Sequence, residues 1–190
     1  TNLGGFAGPS NEDGHDGANP VGVANTHIGI NKNIEIFGNV YGDLEIIKGL
    51  DFVSRLGVDF IYGDHSFLLK AHEMGDAGGV ADASLDVTYS SYINIVFENT
   101  LSYYREIGKN SIKALIGYTA AQQVDNFVYA SRTDFPSDDM TLHAGLSNVM
   151  NDGQEYESAM LSQLARVEYG YAGKYLLTVN VRRDGSSKFG

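Results

Sequence analysis

Few residues in this 190-residue chain carry the spacing that covalent chemistry demands. The five histidines are His15, His27, His65, His72 and His143, and no pair of them forms a ligand motif. His72-Glu73 opens like a zinc-protease helix, but Asp76 stands where an HExxH motif needs its second histidine. No Gly-x-Ser-x-Gly elbow and no P-loop occurs. The absence of cysteine removes disulfides and Cys-based zinc or redox sites, without fixing a compartment. Asn11-Glu12-Asp13-Gly14-His15-Asp16-Gly17 offers carboxylates to a hard cation such as calcium. It lacks the EF-hand spacing and distal glutamate, so a solvated loop is expected. Pairs of Asp and Glu fit for glycoside hydrolysis are not excluded, although carboxylates on loops are usually solvated. No catalytic, metal or cofactor residue is therefore assigned.

One polar run remains: Arg182-Arg183-Asp184-Gly185-Ser186-Ser187, continuing into Lys188, Phe189 and Gly190. Asp-Gly-Ser-Ser is turn chemistry, because Asx and Ser side chains bond nearby backbone groups. The arginines can pair with carboxylates. A structural strand exit is expected here rather than a ligand contact.

The elements around that run are strands. Ala165, Val167, Tyr169 and Tyr171 alternate with Leu164, Arg166, Glu168 and Gly170. After Ala172-Gly173-Lys174, Tyr175, Leu177, Val179 and Val181 alternate with Leu176, Thr178, Asn180 and Arg182. Period two over both runs, joined by a short Gly-containing link, predicts an antiparallel hairpin. The same reading predicts strands at about 33–46, 51–62, 89–105, 111–124, 158–171 and 175–183. On the first, Ile34, Ile36, Val40, Leu44 and Ile46 oppose Glu35, Phe37, Asn39, Tyr41, Asp43 and Glu45. The second is imperfect, since Val53 and Ile61 join Arg55, Gly57 and Asp59 on its polar side. Residues 1–32, rich in Gly, Asn and Asp, read as a loop-rich segment, and 33–190 as partial barrel wall with long loops at 63–88 and 125–156.

Connections alternate short and long, and most strands reach 12 or more residues against a usual five or six. The expected fold is all-β, an antiparallel up-and-down meander forming an arc of a transmembrane β-barrel. Short turns would face the periplasm and long loops the outside. Tyr103, Tyr104, Tyr169, Tyr171 and Tyr175 beside the turns, and Tyr62, Tyr89 and Tyr92 beside a long loop, suit an interfacial aromatic girdle. A one-residue slip would turn Glu35, Asp43 and Glu45 toward lipid, where a midplane charge costs up to about 2–4 kcal/mol, acids less. A soluble sandwich core would fix the register too, so periodicity alone leaves both solvents open.

Composition narrows the partners. With 24 acidic and 13 basic residues the net charge is −11, which argues against nucleic acid and against polybasic attachment to an anionic leaflet. No run approaches 18 apolar residues, so no transmembrane helix is expected. With Thr1 at one end and a loop-like motif at the other, the chain is expected to be a piece of a longer protein.

The run from Lys174 to Gly190, with K-Y-L-L, an alternating strand and R-x-D-G-S-S-K-F-G, resembles the SusC/RagA family of TonB-dependent outer-membrane transporters. Supporting matches are Ser162 with Arg166-Val167-Glu168-Tyr169, Asn39-Val40-Tyr41, Ile47-Lys48-Gly49-Leu50, Gly57-Val58-Asp59, Glu98 to Tyr103, Gly117, and Phe135-Pro136. Lys188 stands where Arg is commoner, and Ala172-Gly173 replaces a more usual polar turn. The resemblance spans about residues 19–190 and carries no plug, TonB-contacting segment or closing strand. It implies an arc of a barrel of about 22 strands with a plugged lumen. It further implies import of an oligosaccharide or peptide, energy coupling by TonB through the plug, a SusD-like surface lipoprotein over the mouth, and contact with outer-membrane lipid. Two other classes stay in view: a soluble all-β module binding glycans or proteins through the same loops, and a barrel-embedded hydrolase.

Overall fold

The computed structural model describes residues 19–73, 79–136 and 140–189. The calcium-like cluster at 11–17, His15 and Gly190 lie outside them. The chain order is α1 (Pro20–Thr26), β1 (His27–Ile47), β2 (Leu50–Leu69), β3 (His72–Glu73), β4 (Gly79–Val80), β5 (Ser84–Ile107), β6 (Asn110–Thr133), a single 3-10 turn (Leu142–Ala144), β7 (Ser147–Tyr171) and β8 (Tyr175–Ser186). Six long strands make one sheet in the order β1-β2-β5-β6-β7-β8, and β3 pairs with β4 separately. Every long strand thus lies beside its neighbour in sequence, the meander expected from the alternation.

Contacts divide the chain into two compact units. Of the described residues, the first takes in those within 19–34, 62–91 and 126–154, and the second those within 35–61, 92–125 and 155–189.

The second unit contains the three short turns. Lys48-Gly49 and Gly108-Lys109 are two-residue links, and Ala172-Gly173-Lys174 is a three-residue one. Gly49 has φ +82°, and a Cβ there would sit 2.3 Å from the Tyr104 carbonyl oxygen. Only glycine fits, because both the left-handed backbone and the approach of a neighbouring strand exclude a side chain. The close approach is used: Tyr104 N donates to Gly49 O at 2.7 Å, and Ala172 N donates to Lys109 O at 2.7 Å. The first turn is thereby tied to β5, and the second to the third.

The β7–β8 register pairs like with like. Ala165 faces Val181, Val167 faces Val179, and Tyr169 faces Leu177; on the other side Ser162 faces Asp184 and Arg166 faces Asn180. Arg166 and Glu168 also pair along the polar face at 2.6 Å.

The first unit corrects several sequence expectations. Residues 20–26 are helix, not loop. The Asn19 side chain accepts from Val21 N and Gly22 N at 2.9 and 3.2 Å, and Pro20 occupies the first helical position. That is an N-cap followed by Pro at N1, a local signal that outweighs the Gly/Asn-rich composition. The strands also run further than their apolar rows. Of the expected loop 63–88, β2 takes residues up to Leu69 and β5 those from Ser84; of 125–156, β6 takes those up to Thr133 and β7 those from Ser147. Tyr62, Tyr89 and Tyr92 consequently lie within strands rather than beside a loop.

The backbone ladder continues here without a clean apolar alternation, beside the buried Leu85 and Val87 of β5. Polar pairs replace the apolar row: Lys32 with Asp64 at 3.7 Å, His65 Nδ1 with Asn31 Oδ1 at 2.8 Å, Ser91 Oγ donating to Asn126 Oδ1 at 3.0 Å, and Asn148 Nδ2 donating to Thr133 Oγ1 at 2.9 Å.

The buried apolar residues described are Ala83, Leu85 and Val87, all at the start of β5. By contrast Ile34, Ile36, Val40, Leu44, Ile46, Leu177, Val179 and Val181 are each more than half exposed. Leaving half of such a side chain in water forfeits about 1 kcal/mol. All eight lie on β1 and β8, the two outer strands of the sheet, and on the inner strands Ile95, Phe97, Ile112 and Ile116 are still 37–57% exposed, so no core among the described residues covers this face.

Candidate functional site

Opposite the apolar rows, the second unit presents a polar strand face, and its side chains cluster. On β1, Phe37, Asn39 and Tyr41 share this face; on β2, Arg55, Gly57 and Asp59; on β5, Asn94, Val96 and Glu98. The cross-strand contacts establish the grouping. Arg55 pairs with Glu98 at 3.7 Å, and its guanidinium lies 5.8 Å from the Tyr41 ring centroid. A cavity of about 180 Å³ is lined by Phe37, Asn39, Arg55, Asp59, Asn94 and Glu98, among others. Asp59 Oδ1 is buried and, among the described residues, has no hydrogen-bond partner. An unpaired buried acceptor costs about 1–3 kcal/mol, so it is a site in want of a donor.

A second cavity of about 420 Å³ continues from Asn94 and Val96 to Thr119, Gln123, Ser158, Met160 and Lys188. Lys188 Nζ stands 5.4 Å from the Tyr156 ring centroid. The lining combines amides, hydroxyls and one cation with the apolar Val96, Ala121, Ala159 and Met160. It can bind a polar ligand and holds no arrangement of nucleophile, base and orienting group. Among the described residues no group of three or more metal-ligating side chains forms.

The terminal motif is mostly strand: β8 continues through Asp184 and Gly185 to Ser186 and turns only at Ser187 and Lys188, which corrects the turn expected at Asp-Gly-Ser-Ser. Arg182 Nε donates to Asp184 Oδ1 and Oδ2 at 2.9 and 3.0 Å, and Asp184 also accepts from the buried Ser162 hydroxyl. Arg183 points the other way, opposite Gln163, while Gly185 faces Leu161 and Ser186 faces Met160. Ser187 N donates to Ala159 O, and Ala159 N donates to Ser187 Oγ, both at 2.9 Å. Lys188 N donates to Ser186 Oγ at 3.2 Å, and Phe189 is almost fully exposed. The motif's polar groups are largely spent on β7 and on one another.

The histidines are dispersed. His65 lies inside β2 and His143 in the 3-10 turn, and among the described histidines His27 and His72 meet, with ring centroids 5.8 Å apart. The polar cluster around Asp59 was within reach of the sequence as a set of same-parity positions. What the sequence lacked was the cross-strand register that brings Arg55 to Glu98 and Tyr41.

Long antiparallel strands in meander order, one face apolar and exposed, the other polar and hollowed, define a stretch of transmembrane barrel wall. Comparison with known proteins agrees. No family model matches the chain. The TonB-dependent receptor P3 of Formosa agariphila is 27% identical over 179 residues, which is 93% of this chain and 18% of that protein. The TonB-dependent receptor P39 of the same organism is 25% identical over 177 residues, 90% of this chain and 17% of that protein. The solved RagAB peptide transporter superposes with a TM-score of 0.80 at 24% identity, over 88% of this chain and 19% of the matched one. RagAB in its closed-closed state gives 0.80 over 87%. The chain is therefore similar to TonB-dependent receptors along nearly its whole length, has the barrel-wall fold of such transporters, and spans about a fifth of the proteins it matches.

Proposed function

We propose that this chain is a segment of the wall of a TonB-dependent outer-membrane transporter that imports large nutrients. The observation that carries the reading is the pair of unlike faces on strands of 20–25 residues, with an apolar row too exposed for water. A spanning strand needs about 9–11 residues, so the strands cross the bilayer and project beyond it. The apolar rows contact outer-membrane lipid. The polar face lines a plugged lumen, TonB acts through the plug, and a SusD-like lipoprotein caps the mouth. The motif from Arg183 to Gly190 serves as a structural strand exit rather than a substrate contact. Residues 33–190 act as wall, and the chain does no covalent chemistry. The relatives' names and the RagAB peptide transporter support the assignment at the level of class.

The test is made on the parent protein. It should fractionate with outer membrane, show heat-modifiable mobility, and support uptake that stops when TonB is deleted. A water-soluble parent, or TonB-independent uptake, overturns the assignment.

A further inference from the structure

We infer that Arg183 and the polar side chains beside it on the apolar face bind the phosphate of an anionic membrane lipid. The inference rests on the transmembrane-wall reading and names the lipid class that its outer face selects. In the β7–β8 register Arg183 faces Gln163, two residues beyond the pair of Val181 with Ala165. Period two therefore puts Arg183 on the apolar face, while Arg182 lies on the polar one. A guanidinium on a lipid-facing strand is costly unless something pairs with it. Arg182 has Asp184 at 2.9 Å. Among the described residues Arg183 has no carboxylate partner.

Other donors gather beside it. A hollow of about 440 Å³ on the same face is lined by Phe52, Leu101 and Ile116 together with Asn99, Tyr118 and Gln163. Leu101 and Ile116 lie nearer the short turns, and Asn99, Tyr118 and Gln163 lie farther from them. The apolar part accepts an acyl chain running toward the membrane centre, and the polar part meets its headgroup. Two amides, a phenol and a guanidinium all donate, and a phosphate is an acceptor that takes the parallel donors of an arginine. A second hollow, of about 600 Å³, lies beyond this row, where Leu161 faces Gly185, and leaves room for the rest of the headgroup.

Depth agrees. Tyr175 opens β8 at the short turn, and Arg183 stands eight residues further on. At a rise of about 3.3 Å and a tilt of about 45°, those residues climb about 19 Å. The apolar band of such a wall is about 25 Å tall, so Arg183 lies just inside its far edge. Its long side chain reaches the phosphate level of the leaflet away from the short turns.

The experiment uses the full parent transporter in detergent, with bound lipid counted by native mass spectrometry. Phosphatidylglycerol is compared with diacylglycerol carrying the same acyl chains, and with inorganic phosphate. Phosphatidylglycerol should bind about tenfold or more tightly than diacylglycerol. Arg183→Gln should remove that preference, and Arg183→Lys should keep part of it. Heat-modifiable mobility checks assembly of each variant; if Arg183→Gln does not assemble, Gln163→Ala and Tyr118→Phe decide, each expected to reduce the preference. Equal binding of the two lipids overturns the site, as does a preference that the assembled variants leave unchanged. Arg183-dependent binding of inorganic phosphate without preference for the phospholipid would make it an ion site and overturns it too. Failure of the transporter reading shows separately, as a parent that is water-soluble or absent from the outer membrane.

Discussion

Ser162 lies directly opposite Asp184 in the β7–β8 register and is 4% exposed, whereas the Asp184 side chain remains 47% exposed. The hydroxyl is thus buried beneath a carboxylate that reaches water, and Arg182 closes the group from its own strand. Removing the carboxylate strands both partners. Asp184→Ala should lower the fraction of assembled barrel in the parent, read by heat-modifiable mobility, while Asp184→Asn keeps part of the network. Normal assembly with selectively lost uptake would make the motif a substrate contact.

Gly49 should tolerate no side chain. Gly49→Ala places a methyl 2.3 Å from the Tyr104 carbonyl oxygen at a left-handed backbone position. Strain and the lost turn-to-strand bond together should cost about 1–3 kcal/mol or more. Pulse-chase folding should show slower barrel assembly; Gly108→Ala, whose Cβ meets nothing within 4 Å, should be milder.

The two faces should respond oppositely to charge. Val179, opposite Val167 on the apolar face, should not accept Arg, at a cost of up to about 2–4 kcal/mol near the midplane. Asn180→Glu, one residue on and facing Arg166 on the polar side, should assemble normally. Equal tolerance at 179 and 180 would remove lipid from the account of the apolar row.

Alkaline pH should loosen the strands beyond the membrane. Tyr129, 19 residues past the start of β6 at Asn110, donates its hydroxyl to Asp86 on β5. The hydrogen bond to that carboxylate holds the phenol pKa above its ordinary value. The folded state then keeps its proton more tightly. The stabilisation is full below the ordinary phenol range near pH 10 and fades as pH rises through the elevated value. Hydrogen exchange in β5 and β6 near Asp86 and Tyr129 should accelerate in that window for the wild type, and Tyr129→Phe should abolish the step.

Expressed alone, the 190-residue chain should aggregate or require detergent, because its aliphatic rows have no core to enter and its terminal strands leave backbone groups unpaired. Light scattering of a detergent-free preparation decides this. A monodisperse monomer would favour the soluble binding module.

Alternation at residues 165–171 and 175–181 by itself determined a β7–β8 hairpin with separate apolar and polar faces, since a period of two leaves each side chain one choice of side. The motif around Asp184 was not legible in the same way: its Asp-Gly-Ser-Ser composition predicted a turn, yet Asp184, Gly185 and Ser186 continue β8 in register with β7. Strand ends were not legible either, because no clean alternating row marks the ladder from Gly63 to Leu69 or from Asp125 to Thr133, where Gly63 and Ser131 are buried while Phe67 and Val128 are exposed. The helix at 20–26 was hidden by composition, although Asn19-Pro20 carried its cap. Only the tertiary structure decided that Arg55 meets Glu98 and Tyr41 while Asp59 Oδ1 meets no donor among the described residues. Those contacts depend on how far each strand slides past the next, and sliding by two residues preserves every face the sequence prescribes while changing every neighbour.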